Sequence, residues 1–394
     1  MTLFQDTGAN PSPSASALAD LLSLFGAIAD FAVGSPRRHS RRIASLSLAL
    51  AETAELSNEE QHALAFASLL HGIGALGNSA YRKHDPLSSR SAQISSWDVP
   101  PEGARICGAL TMLPKDTADY VRWHAESWDG TGYPDQLRWH GTPRAAQLIH
   151  IAHTYLEAGE AEDGLAKIVS LGGMAFSPEL TRSFVMWFHT NSGEIAVRPL
   201  PAEVLTTYPN AANDLLNLVA DRIDLHNAAP GRWQRVAARA GRTAEELKLG
   251  AGERETLELA TRLFGIGELR ADTLESQDFD ALSTLGRDER AQNAVAAADL
   301  LDPFEALQSV AATLRARAEW FDGTGLPNGL RHEAIRIEAR VLAPCIAYDA
   351  LEQSARAQVR SERIVPLERI EDASGTQFDP AVVRAHSEVA PTLI

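Results

Sequence analysis

The chain repeats itself at a distance the size of a domain. Shifted by 193 residues, His71-Gly-Ile-Gly-Ala-Leu76 falls on Phe264-Gly-Ile-Gly-Glu-Leu269, Trp128-Asp-Gly-Thr-Gly-Tyr-Pro134 falls on Phe321-Asp-Gly-Thr-Gly-Leu-Pro327, and Leu137-Arg138 falls on Leu330-Arg331. The shift is constant between these landmarks, so the segments joining them must have equal lengths. A solenoid repeats every 20–50 residues; a period this long is a tandem duplication of a whole domain. Whatever fold one half adopts, the other must adopt too. Four segments are expected: a disordered N-terminal arm over 1–17, a first domain over 18–190, a linker over 191–210 and a second domain over 211–394. The linker contains Pro199, Pro201 and Pro209.

The pattern within each half is helical. Leu18, Leu21, Leu22, Phe25, Ile28 and Ala32 recur at helical spacing. A second helix is expected from near His39, with Ile43, Leu46 and Leu50 on one face. Ser57 followed by Glu60 reads as a capping box and opens a helix carrying Leu64, Ala67, Leu70 and His71. No alternating run is long enough for a sheet, so the class is all-α.

Charge narrows the partners. Thirty-six Lys and Arg against 52 Asp and Glu give a net charge of −16, a field that opposes nucleic acid and anionic membranes. No run approaches the ~18 apolar residues of a membrane span, and no signal peptide is read at the N-terminus, so a cytoplasmic protein is expected. Two cysteines, Cys107 and Cys345, cannot build a disulfide framework.

On these motifs each half resembles the HD-GYP domain, the helical phosphodiesterase module that cleaves cyclic di-GMP. The family pattern is an early-helix His, then His-Asp-x-Gly-Lys, a His before Pro-x-x-Gly, His-His-Glu, Trp-Asp-Gly-x-Gly-Tyr-Pro, and Ala-Arg-Ile leading to Asp. The closing Gly-x-x-Phe-Asp-Pro segment is present as Gly375 to Pro380, and as Gly173 to Pro178 with Ser177 for the Asp. The resemblance spans roughly 18–183 and 213–386. It implies two tandem HD-GYP-like helical bundles.

It also implies where a metal site would lie. In the first half the early His is His39, the His of His-Asp is His71, and the final Asp is replaced by His153. The bridging Asp has become Gly72, the His before Pro-x-x-Gly has become Val99, and His-His-Glu reads His124-Ala125-Glu126. Two-metal hydrolysis needs a carboxylate shared by both ions; with Gly72 there is none, and His124 is left as an orphan of the second ion's set. His39, His71 and His153 remain as a possible mononuclear site, suited to Zn²⁺ by three imidazoles and an open fourth position, against the alternative that they are packed polar relics. No cofactor is expected beyond that one divalent ion. In the second half the corresponding residues are Arg232, Phe264, Gln292, Arg317 and Ile346, so no ligand survives. Phe264 and Ile346 should fill the old cavity, and Arg340 should make a structural ion pair.

Outside the metal positions, the loop residues Trp128, Asp129, Gly130, Gly132, Tyr133 and Pro134 are candidates for partner or ligand contact, as are Arg37 and Arg38 beside Arg41 and Arg42 at a helix start. The first reading is a catalytically inactive tandem signalling or scaffold protein acting through protein contacts, with a diguanylate-cyclase-type protein or another signalling protein as partner. The second is a residual phosphodiesterase in the first half. The third is a cyclic dinucleotide receptor without turnover.

Overall fold

The computed structural model describes residues 4–5, 12–13, 15–35, 38–76, 89–111, 113–197, 211–270, 286–356 and 365–389. The chain divides into two compact units, Leu3–Leu216 and Asn217–Ile394. The first unit contains α1 (Ala15–Val33), α2 (His39–Ala51), α3 (Asn58–Leu70), α4 (Ser89–Gly108), α5 (Thr117–Trp123), α6 (Arg144–Glu157), α7 (Ala161–Leu171) and α8 (Pro178–Asn191). The later helices are α9 (Ala211–His226), α10 (Arg232–Glu246), α11 (Ala251–Leu263), α12 (Arg287–Leu301), α13 (Gln308–Ala316), α14 (Ile337–Arg356), α15 (Pro366–Asp372) and α16 (Pro380–Val389). Both units are helical, and the only extended pairing in named strands among the described residues is Phe4–Gln5 with Ser12–Pro13. That pair lies within the expected N-terminal arm, and α1 begins at Ala15 rather than Leu18. Of the expected linker, residues 198–210 lie outside the described residues, as do Arg37 and the side chains at 211–212 that open the expected second domain.

The 193-residue shift carries into three dimensions. α2 and α10 start at His39 and Arg232, α3 and α11 match at both ends, and α6 and α14 start at Arg144 and Ile337. After that the shift grows. Gly173 and Phe176 correspond to Gly375 and Phe378, a shift of 202, so the second unit is nine residues longer from the start of α14 to its closing turn, and α14 itself (20 residues against 14 in α6) takes up most of them.

Local chemistry explains the helix ends. Ser57 caps α3 through the expected box: its hydroxyl accepts from the Glu60 amide, and the Glu60 carboxylate accepts from the Ser57 amide at 2.8 Å. Asp30 caps α2 from outside, accepting from the Ser40 amide at 2.9 Å and hydroxyl at 2.7 Å; Asp224 does the same for α10 through the Trp233 amide at 2.8 Å. Glycine is required at 74 and 267. A Cβ there would stand 2.1 Å from the Val99 carbonyl and 1.9 Å from the Asn293 carbonyl respectively.

In the first unit the apolar faces of α1 (Phe25, Ile28), α2 (Ile43, Leu46, Leu50), α3 (Leu64, Phe66) and α6 (Leu148, Ile149, Tyr155) are fully buried. The second core uses Val236, Leu263, Phe264, Leu314, Leu342 and Phe378. Both cysteines are buried and unbridged, and burial pushes each thiol up to about 12.

Candidate functional site

The loop Trp128–Pro134 is built the same way in both units. Its organiser is a buried carboxylate. Glu126 accepts from the amides of Asp135 and Leu137 at 2.6 and 3.0 Å, and Glu319 accepts from those of Asn328 and Leu330 at 2.7 and 3.1 Å. Asp129 and Asp322 each take the amide and hydroxyl of the Thr two residues on. Gly130 has φ +83°, a conformation favourable to glycine. Trp123 is an anchor here: its indole N–H donates to Asp135, which Arg122 also grips.

Behind this loop, the first unit holds a cavity of about 450 Å³. The family positions line it: His39, His71, Gly72, Val99, His124, Ala125, Tyr133 and His153. Asp30, His150 and Glu157 also face it. His39 is the first residue of α2, His71 directly follows α3, and His153 is on α6. One ligand atom from each of His39, His71 and His153 lies within 4.8 Å of the others. The ring centroids of His39 and His71 lie 5.8 Å from each other, and 5.0 and 5.5 Å respectively from that of His153. His124 sits beside them, its ring 5.4 Å from His71.

Backbone carbonyls set the tautomers. His71 Nδ1 is 2.8 Å from the Ser68 carbonyl and His124 Nδ1 is 2.7 Å from the Val121 carbonyl, each in the last turn of the preceding helix. A carbonyl can only accept, so Nδ1 carries the proton and Nε2 keeps its lone pair. His153 Nδ1 is 3.3 Å from Glu157, the carboxylate–imidazole arrangement that orients metal-binding histidines. Burial pushes His39 down to about 4 and His124 to about 3, and pushes His71 well down, with neighbouring imidazoles adding to each effect. These rings are neutral at pH 7, as metal ligands must be. The donor set therefore fits one divalent ion with an open position. At Gly72 no carboxylate is available to join a second.

His150, Asp30 and Glu157 escaped the sequence reading. His150 lies one turn before His153 on α6, donates from Nδ1 to the Glu126 carbonyl at 2.9 Å, and is pushed down to about 4 by burial. The signal was present: positions three apart share a helix face. Asp30 is a buried carboxylate in an otherwise largely apolar helix, and burial raises it to about 6.

The arginines divide. Arg42 is occupied by Glu160, while Arg38 is exposed. In the second unit Arg235 makes a bidentate pair with Asp349, Arg239 pairs with Glu352, and Arg340 pairs with Asp379 at 2.6 Å, the structural ion pair expected of it. Arg315 is held by Asp299 and Asp302. The old metal position is filled. Arg232 packs over the Phe264 ring at 4.8 Å and bonds Glu268 at 2.6 Å. Phe264 is buried, and burial lowers the Arg317 guanidinium to about 10.

The model of the HD domain family matches residues 26–171 and 217–382. The chain belongs to the HD domain family. It is similar to a cyclic di-GMP phosphodiesterase of Thermotoga maritima, 24% identical over 179 residues that make up 43% of this chain and 49% of the relative. The match thus spans about half of that relative's length. It is also similar to 3′3′-cGAMP-specific phosphodiesterase 3 of Vibrio cholerae serotype O1, 23% identical over 434 aligned residues covering 92% of each chain. A crystal structure of a cyclic GMP-AMP specific phosphodiesterase from V. cholerae superposes with a TM-score of 0.65 at 18% identity, covering 95% of this chain and 97% of that one. At that identity the likeness establishes the fold. Among the described residues no helix is long and apolar enough to cross a membrane.

Proposed function

We propose that this is a tandem HD-domain signalling protein that binds a cyclic dinucleotide in its first unit without hydrolysing it, and passes the signal on through protein contacts. The observation that carries this reading is the pairing of an open cavity holding three convergent imidazoles with a glycine at position 72. One divalent ion, zinc by the chemistry of the set, would rest on His39, His71 and His153. It would supply a Lewis-acid contact for a phosphodiester oxygen. Val99 and Ala125 offer no ligand for a second ion, so the two-metal route is closed.

The output surface is the loop of the first unit. Trp139 and Met174 are both largely exposed and tie directly to it: the Trp139 amide donates to the Trp128 carbonyl at 2.8 Å, and the Asp129 amide to the Met174 carbonyl at 2.9 Å. Exposed aromatic and Met side chains around a rigid loop are typical of protein-binding surfaces. A diguanylate-cyclase-type partner fits this surface within the same reading.

The test uses full-length protein supplied with zinc, manganese or iron. Cyclic di-GMP and 3′3′-cGAMP are titrated by calorimetry and then recovered for chromatography. Binding with intact recovery is expected. Turnover that disappears in His71→Ala would replace this reading with single-ion hydrolysis, which the open coordination position of the same site favours.

A further inference from the structure

We propose that Trp97 and Tyr133 form a stacking platform for a nucleobase at the mouth of the histidine cavity. The proposal rests on the reading that this cavity takes a cyclic dinucleotide, and it names where the base goes. Trp97 is 60% exposed although it is the largest side-chain type. Its indole stacks on the Tyr133 ring, with centroids 5.7 Å apart and planes 27° from parallel. Tyr133 itself lines the cavity, and so do Val99 and Pro100, the residues two and three places after Trp97 on α4. The platform is therefore continuous with the cavity wall.

The chemistry selects the occupant. An exposed indole already sandwiched on one ring offers its remaining surface to another flat group. The adjoining space carries five imidazoles (His39, His71, His124, His150 and His153) with Asp30 and Glu157, set among small aliphatic side chains such as Val33 and Val99. It suits the polar, phosphate-bearing part of a ligand whose flat part stays at the rim. A nucleotide has that division; an apolar peptide does not. The second unit supplies an independent comparison. There Trp97 corresponds to Arg290 and Tyr133 to Leu326, and the histidine position is filled by Phe264. The aromatic rim accompanies the histidine cavity and is missing where Phe264 takes the place of His71.

Stacking on an aromatic face tolerates any base. Loss of the indole should therefore weaken guanine- and adenine-containing ligands by the same factor. Titrations of zinc-loaded full-length protein with cyclic di-GMP and with 3′3′-cGAMP are compared for wild type, Trp97→Phe and Trp97→Ala, with tryptophan fluorescence and metal content read on each. Trp97→Ala should lose roughly tenfold or more in affinity for both ligands. Trp97→Phe should keep most of the affinity but lose the ligand-induced quenching. Metal content should be unchanged in both. Wild-type affinity in Trp97→Ala overturns the platform and leaves the proposed function standing. Failure of wild type to bind either dinucleotide overturns both.

Discussion

His39 opens α2 and Arg232 opens α10 at matching positions, yet the two side chains leave their units in opposite states. His39 presents a neutral ring to an open cavity. Arg232 brings a charge that must be answered, and Glu268 and the Phe264 face answer it. The two units thus differ in what stands at matching positions. In the first unit Gly72, Val99 and Ala125 are small and line a cavity with the histidines. In the second, Phe264 is core, while Arg232, Arg317 and Ile346 are partly buried and Gln292 is exposed. The loop in front does not share this difference. Glu126 and Glu319 hold it identically, so its shape does not depend on the metal ligands behind it. Another pair changed together. Arg340 bonds Asp379 in the second unit, whereas in the first Gln147 accepts from the Ser177 amide at 3.2 Å. An ion pair in one unit is a neutral hydrogen bond in the other.

The sharpest way to break this contrast is to count metal. One divalent ion per chain is expected in protein loaded with zinc and then desalted. His71→Ala and His153→Ala should each reduce it to near zero. Phe264→His should add none, because Arg232 and Ile346, at the positions of His39 and His153, supply no second or third lone pair. A metal that survives His71→Ala, read by elemental analysis, would place the site elsewhere.

Acid should separate the units next. In chelator-treated protein, His39, His124 and His150 titrate near 4, 3 and 4, and His71 well below its usual value. An unfolded histidine titrates near ~6.5. Between these values the unfolded chain binds more protons, so stability falls as pH falls. Among the described residues of the second unit, His386 is lowered in the same way, to about 4. Asp30 and Asp224 are both raised to about 6. For them the folded state binds the extra proton and acid helps, but with one per unit they offset each other in the comparison. Hydrogen exchange followed from pH 6.5 to 4, each rate taken relative to the intrinsic rate at that pH, should lose protection first in peptides of 38–190. Earlier opening of 217–389 would reverse the assignment.

Core truncation should tell the filled site from the open one. Phe264→Ala removes a fully buried ring and should cost about 3–5 kcal/mol. In metal-free protein His71→Ala removes a ring from a cavity wall and one hydrogen bond, about 1 kcal/mol. Equal losses in denaturant titrations would mean the first cavity is packed as tightly as the second.

How much of this was legible beforehand depends on the length scale. The repeat, the helices, the capping box at Ser57 and the equivalent loops follow from local pattern, which needs only periodicity and turn chemistry. That Phe264 stands in the second unit's core where the first has His71 was legible from the constant shift. The nine extra residues from the start of α14 onward were not, since the landmarks up to Leu330 keep a constant shift and the closing segment was matched by motif alone. Nor were His150 and Asp30 as cavity residues, because which helix face turns toward the cavity is decided by packing between α1, α2 and α6. Trp97 carried no motif at all; its meaning comes from lying against Tyr133 across 36 residues of sequence.

The smallest expected effect tests whether space was retained at the lost carboxylate. A Cβ on Gly72 would meet only the Ala29 methyl, at an ordinary 3.7 Å, and Gly72 has φ −89°, which any residue adopts. Gly72→Asp should therefore change stability by less than about 1 kcal/mol and tighten metal binding by adding an anionic ligand. A Cβ on Gly265 would lie 2.8 Å from Ile223 Cγ2 and 3.2 Å from Asn227 Nδ2, so Gly265→Asp should cost about 1–3 kcal/mol as overpacking. Gly72→Asp should still leave cyclic di-GMP uncleaved, because Val99 and Ala125 give a second ion nothing to replace its water. Denaturation midpoints of the two variants, with product analysis on the first, decide the matter. Cleavage restored by Gly72→Asp alone would show that His124 and His150 suffice for the second ion, and that one residue separates this chain from an active enzyme.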